Sequence, residues 1–338
     1  MPVQRSARIP VRRLKRGVGM ATFVLAVGLI LIAASTCHVV PEHEDLDAAV
    51  RAALWDFKGS VGIYAKHIDS GRVYGRNQDQ LFPTASVFKV PVMIEFFRRV
   101  ESVELLTDQT QEWTGGISRH GSGVLKEREH PGPLPLLELC RLMIAHSDNI
   151  ATDTLMQVVS AASVSATMDE LGFPNTHVGG NCTEMHYQMA DIDSRIGSPA
   201  LDELLLKRAQ SGSLVEAGFA SASPDGNVTT PREMGLIFKQ ILRGEMVSEL
   251  ASHQMIGILK QTTDRRIIPR HLPSGTEVAH KIGGTWRVKA DVGIVYSESG
   301  PVVMSLFAYY HRSETRAADV LAEIARVIVD WASGQGRV

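Results

Sequence analysis

Cysteine is scarce, with three in 338 residues. Cys37 sits in an N-terminal apolar run, leaving Cys140 in a helical stretch and Cys182 in a loop. Two cysteines do not make a disulfide scaffold, so two buried free thiols are expected, with pairing in an oxidising compartment as the alternative. No Cys/His cluster has metal-ligand spacing and the twelve histidines are scattered, so neither a metal nor another cofactor is expected. Internal repeats and low-complexity segments are also lacking. Positive charge is short in the body of the chain. Six of the 35 bases (Arg5, Arg8, Arg12, Arg13, Lys15 and Arg16) fall in the first sixteen residues, leaving 29 against 37 acids, a net of −8. An acidic body of this kind excludes nucleic acid as the expected partner.

The basic start is followed by Gly17 to Cys37, which contains no charged residue. A cationic segment before an apolar one is the layout of an export signal, and this apolar stretch is near the ~20 residues that span a bilayer. Residues 1–41 are therefore expected to export the chain to the periplasm or exterior, or to anchor it in a membrane. Ala34-Ser35-Thr36-Cys37 loosely resembles a lipoprotein cleavage site, which would place a lipid on Cys37. Arg12-Arg13 is followed by Leu-Lys-Arg rather than an apolar pair, which argues against a twin-arginine signal.

Periodicity orders the rest. Asp45 to Phe57 predicts an amphipathic helix, and Val61–Ala65 with Val73–Gly75 predicts a hairpin across Asp69-Ser70-Gly71. Helices are predicted from Ser86, over Leu134–Ala145, Ile150–Val159 and Val164–Leu171, and, after capping residues, over Pro199–Ala209, from Thr230-Pro231, and over Ser248–Lys260. The pattern then changes to three strands, Val278–Ile282, Val288–Tyr296 and Val302–Tyr310, closed by a helix over Thr315–Trp331. Residues 102–133 read as mostly loop, and 172–228 yields only the Pro199 helix. This order predicts an α/β (α+β) fold, with an antiparallel sheet flanked by the terminal helices and an inserted all-helical lobe.

One stretch carries chemistry. Ser86-Val87-Phe88-Lys89 puts a hydroxyl and an amine on one helical face. Serine is a weak nucleophile until a base takes its proton, and a lysine desolvated against Val87, Phe88 and Val90 can act as one near neutral pH. Ser147-Asp148-Asn149 follows 61 residues after Ser86, and Lys281-Ile282-Gly283 lies 134 residues beyond that, on the first late strand.

Together, S-x-x-K, S-D-N and K-x-G in this order resemble the penicillin-recognising serine enzymes, and most closely class A β-lactamases and their serine-hydrolase relatives. The resemblance covers roughly residues 45–335 and includes the Thr229-Thr230-Pro231-Arg232 helix start and the Asp291–Val295 strand. It implies a β-lactamase/DD-peptidase-like domain over 42–335, with a sheet lobe (42–83 and 265–335) and a helical lobe (84–264). It implies an acyl-enzyme on Ser86. Lys89 would take the serine's proton, directly or through water, and Ser147 would relay it to the leaving nitrogen. Asn149 and Lys281 would hold the substrate's side-chain amide and carboxylate. The backbone N–H groups of Ser86 and Gly284, beside Gly283, would form the oxyanion hole. A monomer is expected, with a β-lactam or peptide-like small molecule as substrate and membrane contact confined to the N-terminal segment.

Two positions depart from the family pattern. Ile282 stands where a hydroxyl residue faces the substrate carboxylate, a loss of about 0.5–1.5 kcal/mol that Thr285 or Arg287 would offset. No E-x-x-L-N stretch supplies the deacylating glutamate. Glu184, 37 residues after Ser147, is the candidate base by distance alone. Three activities therefore stay open: hydrolysis of β-lactams or related amides and esters, a D-Ala-D-Ala-type peptidase, and a membrane-tethered β-lactam sensor that acylates without turnover.

Overall fold

A computed structural model of the chain describes residues 42–113, 116–129 and 132–334. The expected export segment, with Cys37, lies outside them. The chain enters through helix α1 (Glu42–Ala53), then strands β1 (Gly59–His67) and β2 (Val73–Arg76) pair as the expected hairpin. After a two-residue strand β3 (Phe82–Pro83), a 3₁₀ turn over Ala85–Phe88 runs straight into α2 (Lys89–Glu101). Short strands β4 (Thr110–Glu112) and β5 (Pro133–Pro135) frame the next loop. Four helices follow: α3 (Leu136–Ala145), α4 (Asn149–Met156), α5 (Ala161–Glu170) and α6 (Cys182–Met189). Helix α7 (Pro199–Gln210) and strand β6 (Val228–Thr229) precede α8 (Pro231–Leu242) and α9 (Glu249–Leu259). Strands β7 (Glu277–Thr285), β8 (Val288–Ser297) and β9 (Gly300–Tyr310) then lead to α10 (Glu314–Ala332).

The five long strands form one antiparallel sheet in the order β2-β1-β9-β8-β7. Its two faces follow the two-residue period of the strands. On β9, Val302, Met304, Leu306 and Ala308 pack with α1 and α10, through Leu46, Val50, Leu321 and Ile328. Val303 and Phe307 point the other way, into the core shared with α2, α3, α8 and α9. A sheet covered on both faces needs apolar residues at successive positions, which is why eight consecutive residues from Val288 are buried.

Local chemistry sets the helix ends. Ser198 and Thr230 each cap a helix whose next residue is proline, and Ser248 caps α9. Helix α6 falls inside the stretch that periodicity left without structure there. Its start is nevertheless a capping box: Asn181 accepts from the Glu184 N–H at 2.9 Å, and the Glu184 carboxylate accepts from the Asn181 N–H at 3.2 Å.

Helix α2 positions the site. Residues Lys89 to Phe97 are all buried, so this helix runs through the core, with its buried Glu95 paired to Arg98 and Arg99. Pro91 is tolerated because it lies in the first turn. Any polar group at the start of such a helix loses its water, and Lys89 stands there.

Candidate active site

Ser86 sits in the 3₁₀ turn, just after Ala85, whose φ of +45° is in the left-handed region. An alanine in that region is strained by about 1–2 kcal/mol, and the surrounding contacts must hold it. Thr84 supplies some of them, donating its N–H and Oγ1 to the Asn227 carbonyl at 2.8 and 2.9 Å. Strand β7 closes on the turn from the other side. A Cβ at Gly283 would stand 2.8 Å from the Thr84 carbonyl oxygen and 3.2 Å from Val87, so only glycine lets the strand lie against the turn that carries Ser86.

Lys89 is fully buried, and its amine donates to Ser147 O at 2.8 Å, Ser147 Oγ at 3.3 Å and Asn149 Oδ1 at 2.8 Å. The lysine and Ser86 are one helical turn apart, but among the described residues no hydrogen bond reaches the Ser86 hydroxyl. Burial lowers the Lys89 pKa, against the opposing fields of Cys182, Asp148 and Asp153.

Ser147 links α3 to α4 with φ +52°. Asp148 holds it there. That buried carboxylate accepts from the N–H groups of Ala151 (2.9 Å), Val124 (2.6 Å) and Leu125 (2.8 Å), so it caps α4 and ties down the preceding loop. Lys281, also fully buried, comes from β7 and donates to Ser147 Oγ at 3.0 Å and to the Ile282 carbonyl at 2.6 Å. Its pKa is pushed well down, first by burial and then by the Lys89 charge, with Asp291 opposing. Asp291 is itself buried on β8, receiving the Ile268 N–H at 2.9 Å and paired with His280 at 2.8 Å. A hydroxyl between two desolvated amines can pass a proton from one to the other.

Two adjoining cavities, of about 310 and 300 Å³, meet at Ser86, Ser122 and Gly284. The first is lined by Ser147, Ile282, Gly283, Arg266 and Lys289, and the second by Asn149, His120, His186, Thr285 and Trp286. The tertiary structure thus gathers Ser86, Ser147, Asn149, Gly283, Gly284 and Thr285 around one cleft, with Lys89 and Lys281 beneath Ser147.

Thr285 is at the cleft, while Arg287 and Glu184 lie elsewhere. The Thr285 hydroxyl is turned to Met189 Sδ at 3.7 Å. Arg287, at φ +62° in the β7–β8 turn, packs over Trp286 with 5.6 Å between guanidinium carbon and ring centroid, and it lines neither cavity. Glu184 lines neither cavity as well: its carboxylate is held by the capping box and approached by Arg195 at 3.6 Å. A helix start needs its N–H groups satisfied, and the Glu184 carboxylate meets part of that need.

Several cleft residues carry no motif. Lys289 lies opposite Gly284 in the β7–β8 register, lines the first cavity and pairs with Glu314 at 2.5 Å; that register is its only sequence signal. Arg266 pairs with Asp264 at 2.6 Å on the same wall. His186 follows from α6, whose first N–H groups are received by Asp153 of α4, from Cys182 at 2.8 Å and Thr183 at 2.9 Å. Among the described residues no group of His, Cys, Asp and Glu could hold a metal ion. Cys140 and Cys182 are buried free thiols.

Residues 45–332 match the beta-lactamase enzyme family. A β-lactamase of Streptomyces lavendulae is 24% identical over 312 residues, covering 90% of this chain and 92% of its own. The crystal structure of a β-lactamase from Sphaerobacter thermophilus superposes with a TM-score of 0.70 at 24% identity, covering 86% and 97% of the two chains. A mutant of PBP-A, solved as an acyl-enzyme complex with penicillin G, gives a TM-score of 0.67 at 22% identity, over 85% and 95%. With its S-x-x-K, S-D-N and K-x-G residues gathered at one cleft, the chain belongs to the β-lactamase enzyme family and is a serine hydrolase of the class A-like type.

Proposed function

We propose that this enzyme opens β-lactams, or related strained amides and esters, through an acyl-enzyme on Ser86. The observation that carries the reading is the hydrogen-bonded line Lys89–Ser147–Lys281 beneath the cleft that holds Ser86. In the proposed reaction Ser86 Oγ attacks the carbonyl carbon while its proton passes to the Lys89 amine, directly or through water. The oxyanion is received by the N–H groups of Ser86 and Gly284, an arrangement in which one donor is typically worth about 10²–10³ in rate. The proton then travels through Ser147 to the leaving nitrogen. Asn149 offers its side-chain amide to the substrate, and Lys281 its charge to a carboxylate.

Ile282 presents no hydroxyl to that carboxylate. Lys289 and Arg266, on the same cavity wall, are the nearest replacements by charge, ahead of Arg287. Export by the N-terminal segment belongs to the same reading, since a hydrolase of this type meets its substrates outside the cytoplasm.

A D-Ala-D-Ala-type peptidase is the second reading, favoured by one observation: the carboxylate nearest in sequence to a deacylating base, Glu184, is committed to a helix cap. The full-length chain mixed with a chromogenic cephalosporin, followed by absorbance and intact mass, separates the two. Sustained turnover lost in Ser86→Ala supports the hydrolase, whereas one equivalent of product with a stable mass adduct points to the peptidase or to a sensor. Absence of both product and adduct overturns β-lactam recognition.

A further inference from the structure

His186 has no part in the chemistry above, yet its ring lines the cavity that contains Ser86, Asn149 and Gly284. Its position is built. Asp153 receives the first two N–H groups of α6 and the hydroxyl of Thr183 at 2.6 Å, which fixes the helix and presents the residue one turn on to the cleft. The backbone at Gly121 closes over the ring and over Asn149 together: a Cβ there would stand 3.1 Å from His186 Cε1 and 2.2 Å from Asn149 Nδ2. The His120 ring meets it edge to face, with centroids 5.4 Å apart.

Despite this packing, the buried Nδ1 of His186 has no hydrogen-bond partner. A buried polar atom without a partner is costly and is kept where something else occupies the space or where it acts. Ser86 and His186 line this one cavity of about 300 Å³, which has room for ordered water.

The geometry points to His186 as the general base that activates the water hydrolysing the Ser86 acyl-enzyme, in place of the glutamate this chain lacks. The assignment rests on the acyl-enzyme reading above. The water oxygen bonds to the acyl carbonyl carbon as its proton passes to a nitrogen of the neutral imidazole. The tetrahedral intermediate then breaks its bond to Ser86 Oγ, which takes the proton back from the imidazolium. Water is consumed, acid is released, and serine and histidine are restored.

The surroundings keep the ring neutral. Burial, the His120 ring and Lys89 push its pKa down to about 3, so it is unprotonated over the working range, as a carboxylate base would be. On its own helix, Cys182 and Glu184 lie in the first turn, and the Asp153 carboxylate of α4 receives the Cys182 and Thr183 N–H groups.

The test compares full-length wild type with His186→Asn, which keeps a polar, uncharged side chain that takes no proton. A cephalosporin is the probe, with stopped-flow absorbance for acylation, timed intact mass for adduct decay, and thermal melting as a check on folding. The expected result is a full burst at a rate within about threefold of wild type, followed by an adduct that decays about 10²–10⁴-fold more slowly. A variant adduct that decays at the wild-type rate overturns the proposal, as does a wild-type adduct that never decays, which leaves Ser86 acylation intact. No adduct and no turnover in wild type overturns the acyl-enzyme reading instead, and the base with it. If His186→Asn fails to fold, the pH dependence of adduct decay in wild type decides: a rate flat from pH 5 to 8 supports a base already neutral, and one that rises with a lysine-like titration assigns the base to Lys89 and overturns His186.

Discussion

Lys89 and Lys281 point their amines at one hydroxyl, reaching Ser147 Oγ at 3.3 and 3.0 Å from opposite elements, α2 and β7. Both are fully buried, and their charges repel, so full protonation of the pair is held off well below the ordinary lysine range. The two protons come off as a coupled system, and the first loss leaves a free amine beside a remaining cation.

That coupling sets a pH dependence. In the proposed reaction acylation needs a free amine to receive the Ser86 proton, so the single-turnover acylation rate is expected to rise with pH on a limb below the model-peptide value of about 10.4 for lysine. The folded-state pKa values are depressed, so between them and the unfolded value the unfolded chain binds more protons. Stability from this pair therefore rises with pH in that window and is lowest where both amines are charged. Stopped-flow bursts and denaturant titrations across pH 5–10 check both signs.

Ser147 adopts φ +52° without being glycine. Ser147→Gly removes that strain, about 1 kcal/mol, and also removes the proton relay. The relieved strain opposes the loss of the two lysine hydrogen bonds to Oγ, so the expected outcome is a melting temperature close to wild type with acylation reduced about 10²–10⁴-fold. A variant with near-wild-type bursts would remove Ser147 from the proton path.

Asp148 is the structural member of its triplet. Asp148→Ala leaves the N–H groups of buried Leu125 and Ala151 and of exposed Val124 without an acceptor and is expected to cost about 2–4 kcal/mol. Urea unfolding reads this directly, and a loss under 1 kcal/mol would mean that the loop re-forms its hydrogen bonds elsewhere.

Ile282→Thr restores a hydroxyl to the wall of the first cavity. A new hydrogen bond of about 0.5–1.5 kcal/mol raises kcat/KM about 2- to 10-fold for a carboxylate-bearing cephalosporin and leaves its methyl ester unchanged. Equal gains for both would show that the side chain acts by shape rather than on the carboxylate.

Cys140 and Cys182 are buried, which pushes both thiols up from their ordinary pKa. Neither is expected to react with iodoacetamide in the native state at pH 8, and both are expected to react in denaturant. Native labelling at Cys182, read by peptide mass, would show that α6 opens readily beside the cleft.

What was legible in the chain was local chemistry and long periodic segments. Ser198-Pro199, Thr230-Pro231 and Ser248 announce helix starts because a cap acts on N–H groups two or three residues away. The late strands and α10 are long enough for their period to show. Helix α6 is eight residues long with a mixed pattern, so its capping box was the signal, and Glu184, the candidate base by distance, takes part in that cap.

The sequence by itself determined the residue types and their order: a serine one turn from a lysine on an apolar helix, a Ser-Asp-Asn turn, and a lysine on a strand followed by the glycine that lets it close. Those are short-range facts. Only the tertiary structure decided that Lys281 reaches Ser147 across 134 positions, that Lys289 and Arg266 line the wall beside Ile282, and that His186 lines a cavity with Ser86 while Glu184 lines neither. The physical reason is that burial, strand register and the anchoring of α6 by Asp153 are properties of packed neighbours, and those neighbours are far apart in the chain.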